Sequence, residues 1–271
     1  MSSVTEMFQP EELRLHKEFL DNGFVIRRAE QSEGLEELRS IVARSASQYL
    51  CGKEKTSEVF LDEIHSFVSP KALNEFRLHI INELNSTSAV RKQYFELART
   101  LLEMLVGNEL AMQRNLNLSI QLPMDGSSLL PVHADVWSGD SPFEVVLWVP
   151  LVTCYGTKSM FLLPPAATET LHREYHSFQG KSSEAIYRAV EDELVWIDIN
   201  YGDVMVFNQN LPHGNRVNEE KETRWSINCR FKSVFSPYGE KKLGEFFDPI
   251  TLRPASRIGM TYKYPGESEW E

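Results

Sequence analysis

The spacing of apolar positions changes character near residue 115. Upstream, hydrophobic residues recur every three or four positions, the period of a helix with one buried face. Residues 10–23 read as a helix that starts on Pro10 and stops at Gly23. A short strand, FVIRR, follows at 24–28. Residues 32–50 place Leu35, Leu38, Ile41 and Val42 on one helical stripe, and 71–85 and 89–109 repeat the pattern, the last ending near Gly107. Downstream, NLSIQL at 117–122 alternates. Short runs rich in β-branched and aromatic residues then follow at 128–135, 143–152, 159–163, 193–199, 202–207 and 224–235, with turn residues between them. Seven or eight such strands predict a β-sandwich or barrel. Residues 166–190 interrupt the series with a helical or irregular stretch.

No linker, low-complexity tract or internal repeat divides the chain. We read one domain over 1–271, with a helical support region at 1–111, a β core at 112–235 carrying an insertion at 164–192, and a C-terminal extension at 236–271. The 271 residues suffice for a large core. Lys and Arg total 28 against 39 Asp and Glu, a net charge of -11, so duplex nucleic acid and anionic membrane surfaces are poor partners. Cys51, Cys154 and Cys229 form no Cys-x-x-Cys, which argues against a disulfide framework and fits a reducing compartment. The N-terminus lacks the apolar segment of a secretory signal, and the longest apolar run is far below the roughly 20 residues needed to span a bilayer. These features predict a cytoplasmic protein.

Candidate chemistry sits in PVHADVWSGD. On a strand, residues i and i+2 share a face, so His133 and Asp135 can converge on one point. A His-x-Asp pair also occurs as a surface histidine beside a capping aspartate. A third ligand is available in GDVMVFNQNLPHGNR, where His213 follows a strand and a proline. Two histidines and one carboxylate on one side of a metal, with open positions opposite, suit non-haem Fe(II). Eleven positions on, RWSINCRF puts Arg224 and Ser226 on one strand face. A guanidinium fork with a hydroxyl beside it is a receptor for a carboxylate. The alternative is an ion pair between Arg224 and a local acid such as Glu222.

His-x-Asp, a distal histidine after a Gly-Asp-x-x-x-Phe strand, and Arg-x-Ser together resemble the Fe(II)/2-oxoglutarate dioxygenase superfamily. The helical N-terminus and strand spacing are similar to its phytanoyl-CoA dioxygenase-like branch. The run from NLSIQL through HADVWSGDSPFEVVLWVPL is similar to oxygenases of bacterial carbohydrate gene clusters. The resemblance covers residues 115–234 well and the helices loosely. It implies a mainly β fold with N-terminal helices, a double-stranded β-helix of jelly-roll or cupin-like form. It also implies Fe(II) held by His133, Asp135 and His213, with 2-oxoglutarate and O2 as cosubstrates and the distal carboxylate gripped by Arg224 and Ser226. Trp148 matches a tryptophan that the branch sets beside the cosubstrate. Gln121 is a candidate contact for the C1 carboxylate, with a cross-strand structural amide as its plainer role, and Asn215 is a further candidate cosubstrate contact. Branch members that halogenate lack the metal carboxylate, so Asp135 argues for hydroxylation or a related oxidation rather than halogenation.

For the substrate, the resemblance points to a small polar metabolite, with a sugar or nucleotide-linked sugar as one class. Trp137 and Ser138 fall in the loop that should rim the metal. Asn208 and Gln209 precede His213, and Arg230 shares the alternating face of Arg224 and Ser226, where it can read an anion or form an ordinary salt bridge. His172 and His176 lie in the insertion and read as solvated loop histidines. The oligomeric state is open, a homodimer being one option. Competing readings are a cupin-like isomerase or epimerase, a non-catalytic metal-binding protein, and a binding module whose His and Asp residues are incidental.

Overall fold

Helix α1 (Pro10–Asn22) begins on a proline, whose missing N–H is no loss in a first turn, and ends at Gly23, which takes φ 80° as few other residues can. The computed structural model describes residues 7–51 and 59–264; the Cys51 side chain lies outside that description. Strand β1 (Phe24–Arg28) leads into α2 (Ser32–Cys51) and α3 (Leu73–Ser86). The one helix expected over 89–109 is two, α4 (Val90–Glu96) and α5 (Arg99–Leu105), broken at Ala98 with φ -145° and ψ 30°. Glu30 explains the break. Its amide donates to the Leu97 carbonyl at 2.9 Å, and its carboxylate accepts from the Thr100 and Leu101 amides at 2.8 and 3.3 Å, capping a new helix start. The apolar spacing runs across the break, so periodicity cannot detect it.

The β region holds β2 (Leu110–Gln113), β3 (Asn117–Gln121), β4 (Val145–Pro150), β5 (Phe161–Leu162), β6 (Val195–Trp196), β7 (Asp203–Asn208), β8 (His213–Gly214), β9 (Arg224–Ser233) and β10 (Phe247–Pro249). One sheet runs β1-β7-β4-β9-β2-β10, with β3 also paired to β9; the other runs β6-β5-β8, and every strand pairing is antiparallel. The two sheets are the walls of a double-stranded β-helix. The larger sheet draws β1 from ahead of residue 112 and β10 from beyond residue 235. Helices α6 (Pro165–Glu174) and α7 (Ser183–Val190) occupy the interruption between β5 and β6, and their buried Leu171, Ile186 and Val190 pack with Val132 and Phe161 in a second core cluster. A last helix, α8 (Pro254–Thr261), follows β10. No helix among the described residues is long and apolar enough to cross a membrane.

The expected strand over 128–135 does not form. Only His133 bridges, to His213, and residues 135–138 turn into a short 3-10 segment. Pro131 has no amide to give a ladder, and the Leu130 amide is taken by the Asn215 side chain at 2.6 Å.

Strand β9 organises the interior because both of its faces are covered. Trp225, Ile227, Cys229 and Phe231 are 0% exposed and belong to the main core, which extends to the helices behind the sheet. Each such side chain contributes about 1.5–3 kcal/mol by leaving water. The alternate residues, Arg224, Ser226, Asn228 and Arg230, face the space between the sheets.

Candidate metal and cosubstrate site

His133, Asp135 and His213 come together although their chain segments are far apart. The His133 amide donates to the His213 carbonyl at 3.0 Å and the reverse bond is 2.8 Å, while the Asp135 amide donates to the Gln209 carbonyl at 3.1 Å. These backbone bonds, rather than a continuous strand, aim the side chains at one point. One ligand-capable atom from each residue lies within 4.8 Å of the others. Oδ1 of Asp135 is 3.4 Å from His133 Nε2 and 3.8 Å from His213 Nε2. Each imidazole is turned by its own backbone contact, His133 Nδ1 to the Pro131 carbonyl and His213 Nδ1 to the Leu211 carbonyl, both at 2.8 Å, so both Nε2 atoms point inward.

The electrostatics suit a cation. Burial pulls the His213 imidazole down to about 4, with His133 adding to the effect, so His213 is a neutral donor at pH 7. Burial opposes ionisation of Asp135, but the His133 hydrogen bond and the Arg230 guanidinium outweigh it and hold the carboxyl well below its usual range. Burial also works against protonation of His133. The bonds to Asp135 and the Pro131 carbonyl outweigh it, and its pKa rises.

The cluster opens on a cavity of about 270 Å³ lined also by Asn117, Ser119, Trp148, Asn215, Arg224, Asn228 and Arg230. A larger groove, about 480 Å³, lies by α1, β1 and α5 and holds none of the three ligands. Arg224 is 4% exposed. Its Nη1 donates to the Ser159 carbonyl at 2.9 Å and its Nη2 to Ser119 Oγ at 2.8 Å, while its Nε has no partner. Glu222 is not its counterion: Lys158 Nζ takes Glu222 at 2.7 Å. Among the described residues Arg224 has no carboxylate partner. A buried, unpaired guanidinium is strongly unfavourable, and burial lowers its pKa. The arrangement fits an anionic ligand.

The remaining expected contacts divide. Trp148 and Asn215 line the cavity. Asn215 is engaged, accepting from the Leu130 amide and donating to the Ser128 carbonyl at 3.3 Å, so it latches the segment that carries His133. Gly214 makes the same approach possible, since a Cβ there would meet the Leu130 carbonyl oxygen at 2.6 Å. Ser226 shares the inward face but is not part of the cavity wall. Its cross-strand neighbour Ser119 is, and Ser119 holds Arg224. Gln121 is fully buried away from the cavity, with its Nε2 donating to the Arg216 carbonyl. Asn208 caps the turn after β7 by accepting from the Asn210 amide at 3.0 Å and lies outside the cavity. Trp137 packs on Tyr175, ring centroids 5.3 Å apart, rather than facing the cluster. His172 and His176 are exposed and outside it. Arg230 is an ion-pair residue in this structure: its Nη2 donates to Asp135 Oδ2 at 2.7 Å.

Comparison with known proteins bears on the fold. The epimerase SnoN, solved in complex with Fe3+, alpha-ketoglutarate and nogalamycin RO, superposes with a TM-score of 0.52 at 16% identity, over 96% of this chain and 92% of that one. AviO1 from Streptomyces viridochromogenes Tue57 superposes with a TM-score of 0.56 at 15% identity, over 86% of this chain and 99% of that one. The chain has the fold of the non-haem, 2-oxoglutarate-dependent oxygenases. In sequence it is 27% identical to the streptomycin biosynthesis protein StrG of Streptomyces griseus in an alignment of 166 residues that covers 56% of this chain and 68% of that protein. No family model matches the sequence.

Within this fold, Asn117, Ser119 and Asn228 are site residues that sequence reasoning passed over. Alternation along β3 and β9 carries the signal: Asn117 and Ser119 precede Gln121 at steps of two, and Asn228 falls between Ser226 and Arg230. Asn117 Nδ2 donates to Asn228 Oδ1 at 3.0 Å across the strands, making one polar floor.

Proposed function

We propose that the chain is an Fe(II)- and 2-oxoglutarate-dependent oxygenase that hydroxylates a C–H bond of a small polar metabolite, with a sugar or nucleotide-linked sugar as the favoured class. The observation that carries the reading is Arg224, buried without an acid partner among the described residues in the cavity that His133, Asp135 and His213 also line. A keto-diacid satisfies both ends of that cavity, its distal carboxylate on Arg224 and its keto-acid end at the metal position. Bound Fe(II), with 2-oxoglutarate and O2, would supply oxidation of the substrate coupled to decarboxylation of the cosubstrate.

The chain's own residues bind and orient. His213 is unprotonated and Asp135 ionised at neutral pH, so two of the three ligands are ready without losing a proton. Arg224 and Ser119 form the carboxylate end, and Trp148, Val146, Met160 and Phe207 make the apolar wall that limits water. Similarity to a streptomycin biosynthesis protein supports a role in building a metabolite. The net charge of -11 supports a small-molecule partner over nucleic acid. Likeness to SnoN, described as an epimerase, favours epimerisation as a second outcome at the same carbon centre.

Anaerobic addition of Fe(II) and 2-oxoglutarate should produce a weak visible charge-transfer band, and admitting O2 in the presence of substrate should release succinate and CO2. Arg224→Met should weaken 2-oxoglutarate binding about 10- to 100-fold, the loss of a charge-assisted bond of roughly 1.5–3 kcal/mol. No band, with no change in melting temperature on adding 2-oxoglutarate, would favour the isomerase or non-catalytic readings. A product that gains one oxygen atom indicates hydroxylation, and an unchanged mass with inverted configuration indicates epimerisation.

A further inference from the structure

Asp135 presents its two oxygens to different neighbours. Oδ1 faces both imidazoles, at 3.4 and 3.8 Å, while Oδ2 accepts from Arg230 Nη2 at 2.7 Å. We propose that Arg230 is a positioning residue that occupies Oδ2 and so leaves Asp135 a single oxygen, Oδ1, to offer a metal. The inference rests on the metal reading above and deepens it.

The guanidinium is held so that it can do this. Its Nε donates to Gln209 Oε1 at 3.0 Å and lies 3.4 Å from Asp140 Oδ2. Gln209 is itself fixed, its Nε2 donating to Glu144 Oε2 at 3.0 Å and to the Ser141 carbonyl at 3.1 Å. Asp140 is paired with Lys241 at 2.6 Å. A chain of charge contacts thus runs from Asp135 through Arg230 and Asp140 to the C-terminal extension. That extension lies along the same loop, with the Glu240 amide donating to the Gly139 carbonyl at 3.0 Å and Ser141 Oγ to the Pro237 carbonyl at 2.6 Å.

The consequence is a matter of coordination number. A carboxylate free to turn can chelate through both oxygens and occupy a position that a bidentate keto acid and dioxygen need. Arg230 removes that option by using the second oxygen for a charge-assisted bond. Its planar fork reaches Asp135, Gln209 and Asp140 at once, which a single ammonium cannot do. Arg224 and Arg230 lie on one strand face and serve different partners, the first a ligand carboxylate and the second the protein's own.

Co(II) reads the coordination directly through its visible absorption, without turnover. Wild-type, Arg230→Met, Arg230→Lys and Lys241→Met proteins would each be titrated with Co(II), then with 2-oxoglutarate, with circular dichroism to verify folding. The expected result is an altered Co(II) spectrum in Arg230→Met before cosubstrate is added, Co(II) affinity lowered about 10- to 100-fold, the usual effect of losing the partner of a metal ligand, and weaker 2-oxoglutarate binding with it. Arg230→Lys should restore part of the difference. Lys241→Met, at the accessible end of the chain of contacts, should shift the spectrum in the same direction by less, and it serves with Arg230→Lys should Arg230→Met fail to fold. Variants that fold and match the wild-type spectrum, with 2-oxoglutarate affinity within about twofold, overturn the role of Arg230 alone. Failure of the wild-type protein to bind Co(II) overturns the metal reading and this inference with it.

Discussion

Lys158 shows how single charges are sorted around the site. Its side chain is 1% exposed, yet it reaches Asp62 and Glu222, both at 2.7 Å. The next residue, Ser159, supplies the carbonyl that anchors Arg224. Because Lys158 takes Glu222, that carboxylate is not the partner of Arg224. The hydrogen bond from Lys158 holds the Glu222 carboxyl below its ordinary 4.5, with burial opposing. A carboxyl whose folded pKa is depressed contributes stability above its unfolded value and loses that contribution as pH falls through the folded value. Glu222→Gln should therefore be less stable than wild type at pH 7, and the gap should close below about pH 4.5. Urea midpoints from pH 7 to 3 check this, and a gap independent of pH would contradict it.

At the scale of elements, β9 joins two jobs that its period of two separates. The inward residues build the polar cavity, while the outward residues seat the helical layer. Tyr94 on α4 ties the layers together, its Oη donating to the Leu147 carbonyl at 2.6 Å and lying 3.3 Å from that of Ile227. Tyr94→Phe removes these bonds and keeps the ring, so it should lower stability by about 1 kcal/mol. Metal and 2-oxoglutarate affinities should not change, because Tyr94 acts on the face of the sheet turned from the cavity. Denaturant unfolding and ligand titration of the same variant measure both. The split of the expected 89–109 helix belongs to this scale too: Glu30 caps α5 from a distant part of the chain, and no local pattern records it.

For the molecule as a whole, the cavity wall combines strands of the larger sheet with β8 of the smaller, so a ligand there braces the two walls against each other. Ligands that bind only the folded state stabilise it, by about 2.7 kcal/mol at a hundredfold excess over Kd. A redox-silent metal such as Mn(II) should raise the melting temperature, and 2-oxoglutarate should raise it further. Arg224→Met should keep the first increment and lose most of the second. Calorimetry separates the two, and an undiminished second increment in Arg224→Met would remove the guanidinium from the cosubstrate site.

The change of hydrophobic period near 115 already predicted a β-sandwich or barrel behind N-terminal helices, the residue types at 133, 135, 213 and 224 nominated the candidate site, and the double-stranded β-helix was what the family resemblance implied. Those signals are local: i and i+2 alternation, a proline before His213, and acids and bases with fixed coordination chemistry. Contacts between distant segments decided the rest. The pair His133–Asp135 converges through backbone bonds to residues 209–213, not through the strand its pattern suggests. Ser119 rather than Ser226 holds Arg224, and Gln121 turns away, because cross-strand register selects among residues that alternation leaves equivalent. Arg230 became the partner of Asp135 for the same reason: side-chain distance follows from how the strands and loops pack, and spacing along the chain does not contain it.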